Sequence, residues 1–232
     1  MRVGRKKRVF PSIRALSSIL RRSRQKESEQ EAAVLAIIDP QQRILICRRS
    51  DDLRSHPGEA CLAGGKRENG DKGPIGTALR ETEEEIGLNR SLVSIKYELD
   101  PLHILPNIAI HTIVGTVAEV PQLSVNSDEV AETMWVPLES FLKKDLHWCI
   151  VYDNIDIHGF AFPQFEVFGL TANLCILIAI KEFGKAPEFD INSVLTTERM
   201  TTMTPSEIIR NFYKYYNANV RQFKKNIEVA KI

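Results

Sequence analysis

No stretch of this chain approaches the ~20 consecutive apolar residues that a membrane-spanning helix needs, and the run Leu174–Ile180 is far too short. Cysteine is scarce. Cys47, Cys61, Cys149 and Cys175 form no CxxC pair, which sets aside a zinc ribbon or a disulfide framework and suits free buried thiols in a reducing compartment. Net charge is nearly absent, because 31 basic residues against 30 acidic ones leave +1 and no global field to draw nucleic acid. The histidines (His56, His103, His111, His147, His158) share no metal-ligand spacing and read as structural or surface residues. Repeats, low-complexity segments and clear linkers are missing too. What remains is a chain of 232 residues, 43% hydrophobic and 26% charged, which can bury one sizeable core.

Acids are absent in one place of interest. The first 26 residues carry ten Lys or Arg and no Asp or Glu, with Leu16, Ile19 and Leu20 at helical spacing among them. Such an arm is either a solvated basic tail or a targeting segment of the mitochondrial kind. At the other end, Ala230-Lys231-Ile232 is similar to the Ser-Lys-Leu peroxisomal address.

Between these ends the periodicity changes repeatedly. Ala32–Ile38 and Arg43–Arg48 flank the turn Asp39-Pro40-Gln41-Gln42 and predict a β-hairpin. Ser91–Leu99 and Ile108–Val117 predict strands, with Pro101 and Pro106 bounding the loop between them. Met134–Val136 predicts a short strand leading to a helix over Pro137–Lys144, and His147–Tyr152 and Phe160–Phe168 predict strands around an Asn154–Gly159 turn. Thr171–Lys181 predicts a buried helix stopped at Gly184. Thr204-Pro205-Ser206-Glu207 is a capping box opening a helix whose stripe of Ile208, Phe212, Tyr216, Val220 and Phe223 covers the domain or forms a dimer face.

The stretch Gly64–Leu88 carries the chemistry. Pro74 marks a helix start and Gly87 its left-handed end. On a helix, residues three and four apart share a face, so Glu81, Glu84 and Glu85 project together while Glu83 points away. Ala78, Leu79, Thr82 and Ile86 form the less polar side. Three like charges on one face are either a solvated acidic surface or a site for a hard divalent cation, Mg²⁺ before others. Gly64, Gly65, Gly70 and Gly73 predict an approach loop where backbone can come close to a ligand. Upstream, Arg48, Arg49, Ser50 and Arg54, with Lys66 and Arg67 in the loop, cluster cations beside it. Arginine matches phosphate oxygens with a rigid fork of donors, so the cluster suits a polyphosphate.

The glycine-rich segment followed by Arg80-Glu81-Thr82-Glu83-Glu84-Glu85-Ile86-Gly87-Leu88 resembles the box of the Nudix hydrolases, with Thr82 at its hydrophobic position. After five intervening residues beyond Gly65 stands Asp71 where that box has Glu, and eight residues rather than seven then precede Arg80. Leu45–Ser50, Arg54, Gly58 and Gly64-Gly65 are similar to the motif of the coenzyme A diphosphatases in that family, which tend to share the Asp and the longer spacing. Leu62-Ala63 replaces their usual Phe-Pro. Similarity to the peroxisomal branch extends to Gly169–Asn173.

The resemblance implies an α/β fold: a Nudix-type α/β/α sandwich with a mixed sheet over residues 31–229. A basic extension, residues 1–30, would precede it, and a targeting tripeptide, 230–232, would follow. It implies a metal-dependent hydrolase that cleaves the diphosphate of coenzyme A and acyl-CoA to 3′,5′-ADP and (acyl-)4′-phosphopantetheine. Another nucleoside diphosphate-X substrate, or a non-catalytic Nudix-shaped binding module, is the alternative. Mg²⁺ or Mn²⁺ would be held by Glu81, Glu84, Glu85 and the Gly65 carbonyl. Glu81, Glu84 and Arg80 would serve catalysis, Arg80 by orienting a glutamate. Substrate would meet Arg48, Arg49, Ser50, Arg54, Lys66 and Arg67. A further carboxylate is expected from a later loop, with Asp128, Glu129 and Glu132 unranked. The expected partner is a small molecule, with neither nucleic acid nor membrane span, and a monomer or homodimer in the peroxisome, the mitochondrion being the alternative.

Overall fold

The computed structural model describes residues 30–104, 108–152 and 155–229, with the side chains of 220, 221 and 223–229 excepted. The basic arm before residue 30, Pro106, Asn154, the tripeptide 230–232 and the side chains of Val220 and Phe223 lie outside this set.

Strand β1 (Gln30–Ile38) lies at the centre of a seven-stranded mixed sheet. It runs parallel to β6 (Ile108–Val117), from Gln30 opposite Ile108 to Ile38 opposite Thr116. Beyond β6 lies the antiparallel β5 (Val93–Ile104). On the other side, β2 (Arg43–Arg49) pairs with β1 only at Ile38–Ile44, then diverges. The rest of that edge of β1 is taken by β4 (Ala63–Lys66), antiparallel from Ala32–Lys66 to Leu35–Ala63. β2 in turn pairs with the short β3 (Ala60–Cys61) and with β7 (Val130–Pro137). The expected hairpin is therefore confined to its turn, where Asp39 Oδ1 accepts the backbone N–H groups of Gln41 and Arg43 at 3.0 and 2.9 Å.

Alternation along the strands divides the core in two, because successive side chains point to opposite faces. Ala33, Leu35, Ile37, Leu45 and Cys47 face helix α1 (Gly73–Ile86), packing on Ala78 and Ile86. Ala36, Ile38, Ile44 and Ile46 face helix α2 (Gly169–Phe183) and its neighbours. A sheet apolar on both faces has to be covered twice. The result is the α/β/α sandwich.

Helix α2 is buried from Ala172 to Ile180 and ends at Gly184 in the left-handed region (φ 64°), its N–H returning to Ile180 O. A small sheet of β8 (His147–Tyr152), β9 (Ile155–Ala161) and β10 (Glu166–Phe168) lies beside it. A single turn, α3 (Thr197–Met200), precedes the long α4 (Pro205–Val229). Its capping box forms as the sequence predicts. Glu207 N donates to Thr204 Oγ1 at 3.3 Å and Thr204 N to Glu207 Oε2 at 2.8 Å. Ile208 and Phe212 are core residues and Tyr216 packs against them.

Several local expectations change. β5 runs through Pro101 instead of stopping before it, and the ladder shifts register between Leu99 and Leu102. A bulge is where a strand tolerates a residue without an N–H. Residues 155–159 are strand, paired with β8, and the expected strand over Phe160–Phe168 breaks into β9 and β10. After β7 the helix is a short 3₁₀ segment, Leu138–Leu142. Cys149 is exposed, unlike the buried Cys47 and Cys175.

Candidate active site

Gly64 and Gly65 belong to strand β4 and not to a loop, opposite Val34 and Ala33. Their lack of side chains is a packing requirement. A Cβ on Gly64 would lie 2.3 Å from Ala33 O and 2.6 Å from Val34 Cα, and one on Gly65 would lie 2.4 Å from the Glu81 carboxylate. The strand thus lets α1 lay its acidic residues directly on backbone. Gly87, in the left-handed region at φ 67°, closes that helix with its N–H on Glu83 O.

Glu85 is 4% exposed and accepts the Gly64 N–H at Oε2, 3.0 Å away. Burial pushes its carboxyl up to about 7, against the pull of that N–H, and the charges of Glu81 and Glu129 push the same way. Glu81 is also raised, by burial first, with Arg80 pulling down and Glu84 and Glu129 pushing up. Glu83 does point elsewhere. It pairs with Arg90 on the outer side, Nε to Oε2 at 2.8 Å.

Arg80 organises the other half of the cluster. Its guanidinium grips Asp71 with two bonds, Nε to Oδ1 at 3.0 Å and Nη2 to Oδ2 at 3.1 Å. It also donates to Glu81 Oε1 at 3.1 Å, Glu84 Oε2 at 2.9 Å and the Lys66 carbonyl at 3.1 Å. Asp71 is completed by Thr77 Oγ1 and the Glu68 N–H, both at 2.9 Å. The Arg80 bonds, followed by the Glu68 N–H, hold its carboxyl well below the usual carboxylate range. Glu84, its side chain 56% exposed, leans outward to Arg80.

The later carboxylates now separate. Glu129 is the one whose charge acts on both Glu81 and Glu85. Its loop is tied to the end of α1, since Asn126 N donates to Glu85 O at 2.8 Å and Glu129 N to Asn126 O at 3.0 Å. Its carbonyl accepts the Ser50 N–H at 2.9 Å. Glu132 is committed to Arg48, whose Nε donates to Oε1 at 2.7 Å. Local sequence carries no signal that ranks these acids, because what selects Glu129 is a set of backbone bonds to remote residues.

The cations separate too. Arg48 is held between Glu132 and Asp51, and Arg67 pairs with Glu31. Arg49 is different. Its charge acts on Glu85, and its Nε is buried without a hydrogen-bond partner among the described residues. Arg54 and Lys66 are exposed and form no ion pair among the described residues. The Ser50 side chain is buried and is used locally, where Asp52 N approaches its Oγ at 3.4 Å.

Glu81, Glu85 and Glu129 are anionic oxygen donors that repel one another, as a hard divalent cation requires. They do not form a closed cage: among the described residues, no three His, Cys, Asp or Glu stand close enough to hold an ion as placed.

The NUDIX domain matches residues 28–150. The peroxisomal coenzyme A diphosphatase ndx-8 of Caenorhabditis elegans is 32% identical over 207 residues, covering 82% of this chain and 85% of that protein. The peroxisomal coenzyme A diphosphatase NUDT7 of Mus musculus is 35% identical over 62% of this chain and 65% of that protein. The mitochondrial Nudix hydrolase 15 of Arabidopsis thaliana is 33% identical over 69% of this chain and 61% of that protein. A solved NUDIX hydrolase from Nitrosomonas europaea is 13% identical, covering 70% of this chain and 77% of its own, with a TM-score of 0.46. On the domain match and the ndx-8 identity, the chain belongs to the Nudix hydrolases.

Proposed function

We propose that this chain is a metal-dependent diphosphatase that cleaves coenzyme A and its acyl esters to 3′,5′-ADP and (acyl-)4′-phosphopantetheine. The observation that carries the reading is the set of Glu81, Glu85 and Glu129, whose charges act on one another, beside Arg49, whose buried Nε has no hydrogen-bond partner among the described residues. Acids that repel one another beside a cation with a donor to spare suit a diphosphate carried on a divalent ion. The names of the ndx-8 and NUDT7 proteins support the same substrate.

Glu81, Glu85 and Glu129, with Glu84 and the Gly65 carbonyl, would hold Mg²⁺ or Mn²⁺. Bound there, the ion neutralises phosphate charge and lowers the pKa of a bound water. Arg80 does not meet substrate in this reading. Its four-way grip on Asp71, Glu81, Glu84 and the Lys66 carbonyl orients the carboxylates. Arg49, Arg54 and Lys66 are the cations left for phosphate, and each charge-assisted contact to phosphate contributes ~1.5–3 kcal/mol. Arg48 and Arg67, committed to acids, shape the entrance instead.

The test is release of 3′,5′-ADP from coenzyme A, with and without Mg²⁺ or Mn²⁺. Metal-dependent release supports the proposal. Turnover of ADP-ribose or a dinucleotide with coenzyme A left intact would move the assignment to another nucleoside diphosphate, and no turnover of any of them would favour a binding module. The location we propose is the peroxisome, on the terminal tripeptide and on the names of two relatives. Deleting Ala230–Ile232 should release a tagged protein from peroxisomes, and import into mitochondria that depends on residues 2–26 would overturn it.

A further inference from the structure

The small sheet of β8, β9 and β10 is apolar on both faces, and the two faces are treated differently. Phe160 and Val167 point into the core beneath α2, and on the same side His147 stacks on Phe189. The alternate residues turn the other way: Trp148, Ile150 and Tyr152 on β8, Ile157 on β9 and Phe168 on β10. Each keeps part of its surface in solvent, and among the described residues none belongs to either core. An exposed apolar patch of this kind marks a place where something binds.

The face has a defined shape. Trp148 and Phe168 are both in register with Gly159, from opposite sides. A Cβ on Gly159 would lie 2.1 Å from Trp148 Cζ2. The missing side chain lets the indole lie across β9, with its ring centroid 6.4 Å from that of Phe168. The result is an aromatic floor over all three strands, extended by the directly opposed Ile150 and Ile157. Only Trp148 and Tyr152 bring a polar side-chain atom to it, so it is poor in groups that could read a nucleobase or hold a phosphate.

The floor runs toward the carboxylates. β10 stands against β3, and Thr171, in the first turn of α2, donates from Oγ1 to the Ala60 carbonyl at 3.0 Å. Ala60 and Val167 both point into the core under α2, so Cys61 and Phe168, the next residue in each case, point to the opposite side. That is the side of α1, because Cys61 packs with the core beneath α1 and the charges of Glu85 and Arg49 act on it. The acidic cluster and the apolar floor therefore open on one side of the molecule, with β3 between them. Neighbouring strands lie ~4.8 Å apart, so the floor reaches roughly 10 Å beyond β10 to β8. A ligand that covers both has a diphosphate at one end and an apolar tail at the other.

We infer that the outer face of this second sheet seats the acyl chain of the substrate, so that acyl-CoA chain length is sensed by Trp148, Phe168, Ile150 and Ile157. The inference rests on the diphosphatase reading for the other end of the same molecule. The thioester end passes β3, the first methylenes lie over the Trp148–Phe168 floor, and longer chains reach Ile150 and Ile157.

Calorimetric titration of the full-length protein, with divalent metal chelated so that binding is read apart from turnover, compares coenzyme A with its butyryl, octanoyl and lauroyl esters below their micelle concentrations. A fully buried methylene is worth up to about fourfold in affinity, so a face that covers one side of the chain should give a gain of about tenfold or more from butyryl to lauroyl. Ile157→Gln should cut that gain to about threefold or less; should the variant fail to fold, the chain-length series on the unaltered protein still decides. No binding of the lauroyl ester, or affinity indifferent to chain length, overturns the site. So does a gain that folded Ile157→Gln leaves intact while splitting a dimer in sedimentation, since the face would then belong to a second copy. The diphosphatase reading fails separately, by absence of 3′,5′-ADP release from coenzyme A with Mg²⁺ or Mn²⁺, whatever the chain-length series shows.

Discussion

The backbone N–H of Gly64 donates to Glu85 Oε2 at 3.0 Å, while the neighbouring Gly65 leaves no room for a methyl group beside Glu81. Two consecutive residues of one strand thus set two carboxylates that are four apart on one helix. Helical spacing alone brings Glu81 and Glu85 to the same side. The strand fixes how deep they sit, and depth is what raises their pKa values.

Removing those charges should be selective. Glu81→Gln or Glu85→Gln should lower kcat by about two to four orders of magnitude, a loss of ~3–5 kcal/mol of transition-state stabilisation. Glu83→Gln should do little, because its carboxylate is held by Arg90 away from the site. Steady-state kinetics on the three variants checks this, and near-normal turnover in both of the first two would remove the metal face from the mechanism.

The adjacent glycines should fail differently. Gly65→Ala pushes on a side chain, so Glu81 must move; turnover should fall about tenfold or more with the melting temperature nearly kept. Gly64→Ala pushes on the β1 backbone and should cost about 2 kcal/mol or more of stability. Paired thermal melts and kinetics separate the two.

Thr82 occupies an apolar position at 1% exposure, with its Oγ1 unpaired among the described residues. Thr82→Val keeps the shape and removes the unmet hydroxyl. It should stabilise the fold by about 1 kcal/mol in urea denaturation, with kcat unchanged. A destabilised variant would mean that the hydroxyl has a partner.

Coenzyme A carries a 3′-phosphate that its dephospho form lacks, so a site that selects it needs a cation beyond those on the diphosphate. With Arg48 and Arg67 engaged by acids, Arg49, Arg54 and Lys66 remain, and of these Arg49 and Arg54 belong to the coenzyme A-type motif. At least one of Arg49→Ala and Arg54→Ala should shrink the preference for coenzyme A over dephospho-coenzyme A by about tenfold in kcat/KM. Equal cleavage of both substrates by the unaltered protein would end the narrow assignment and leave a broader diphosphatase.

Acid should loosen the second sheet. His147 and His158 are hydrogen-bonded to each other and stack near Phe189, and burial pushes His147 down to about 4 and His158 below its ordinary value. A folded-state pKa below the unfolded one gives stability that is complete above about pH 6.5 and is lost as pH falls toward 4. After allowance for the partial exposure of His147, the loss is about 1–2 kcal/mol. Melting temperatures from pH 7.5 to 4.5 should fall less steeply in His147→Gln than in the unaltered protein, and parallel curves would contradict the linkage.

Much of this was legible in the residues. Helical spacing separated Glu83 from its neighbours, and Pro74 and Gly87 bounded α1 closely. Thr204 and Glu207 announced their own cap. What periodicity missed was long-range pairing. Arg43–Arg48 read as the partner of Ala32–Ile38, yet β4 and β6 take β1 and β7 takes β2. Gly64-Gly65 read as a loop because glycine is poor in strands, and only the closeness of the β1 backbone to Gly64 and of Glu81 to Gly65 explains why they stand in one. Glu129 was indistinguishable from Asp128 and Glu132 until the bond from Asn126 to Glu85 placed its loop.

The same pairing pattern dictates an order of assembly. Everything from β1 to α1 leaves the ribosome in one contiguous piece, so β4 can dock on β1 and Gly64 can meet Glu85 early. The parallel partner of β1 arrives only with β6, and the loop bearing Glu129 arrives later still, just ahead of β7. Non-local pairings of this sort are slow to close. Glu129 is therefore the last of the mutually repelling carboxylates to arrive, joining Glu81 and Glu85 after the sheet that must bear their repulsion has most of its strands in place.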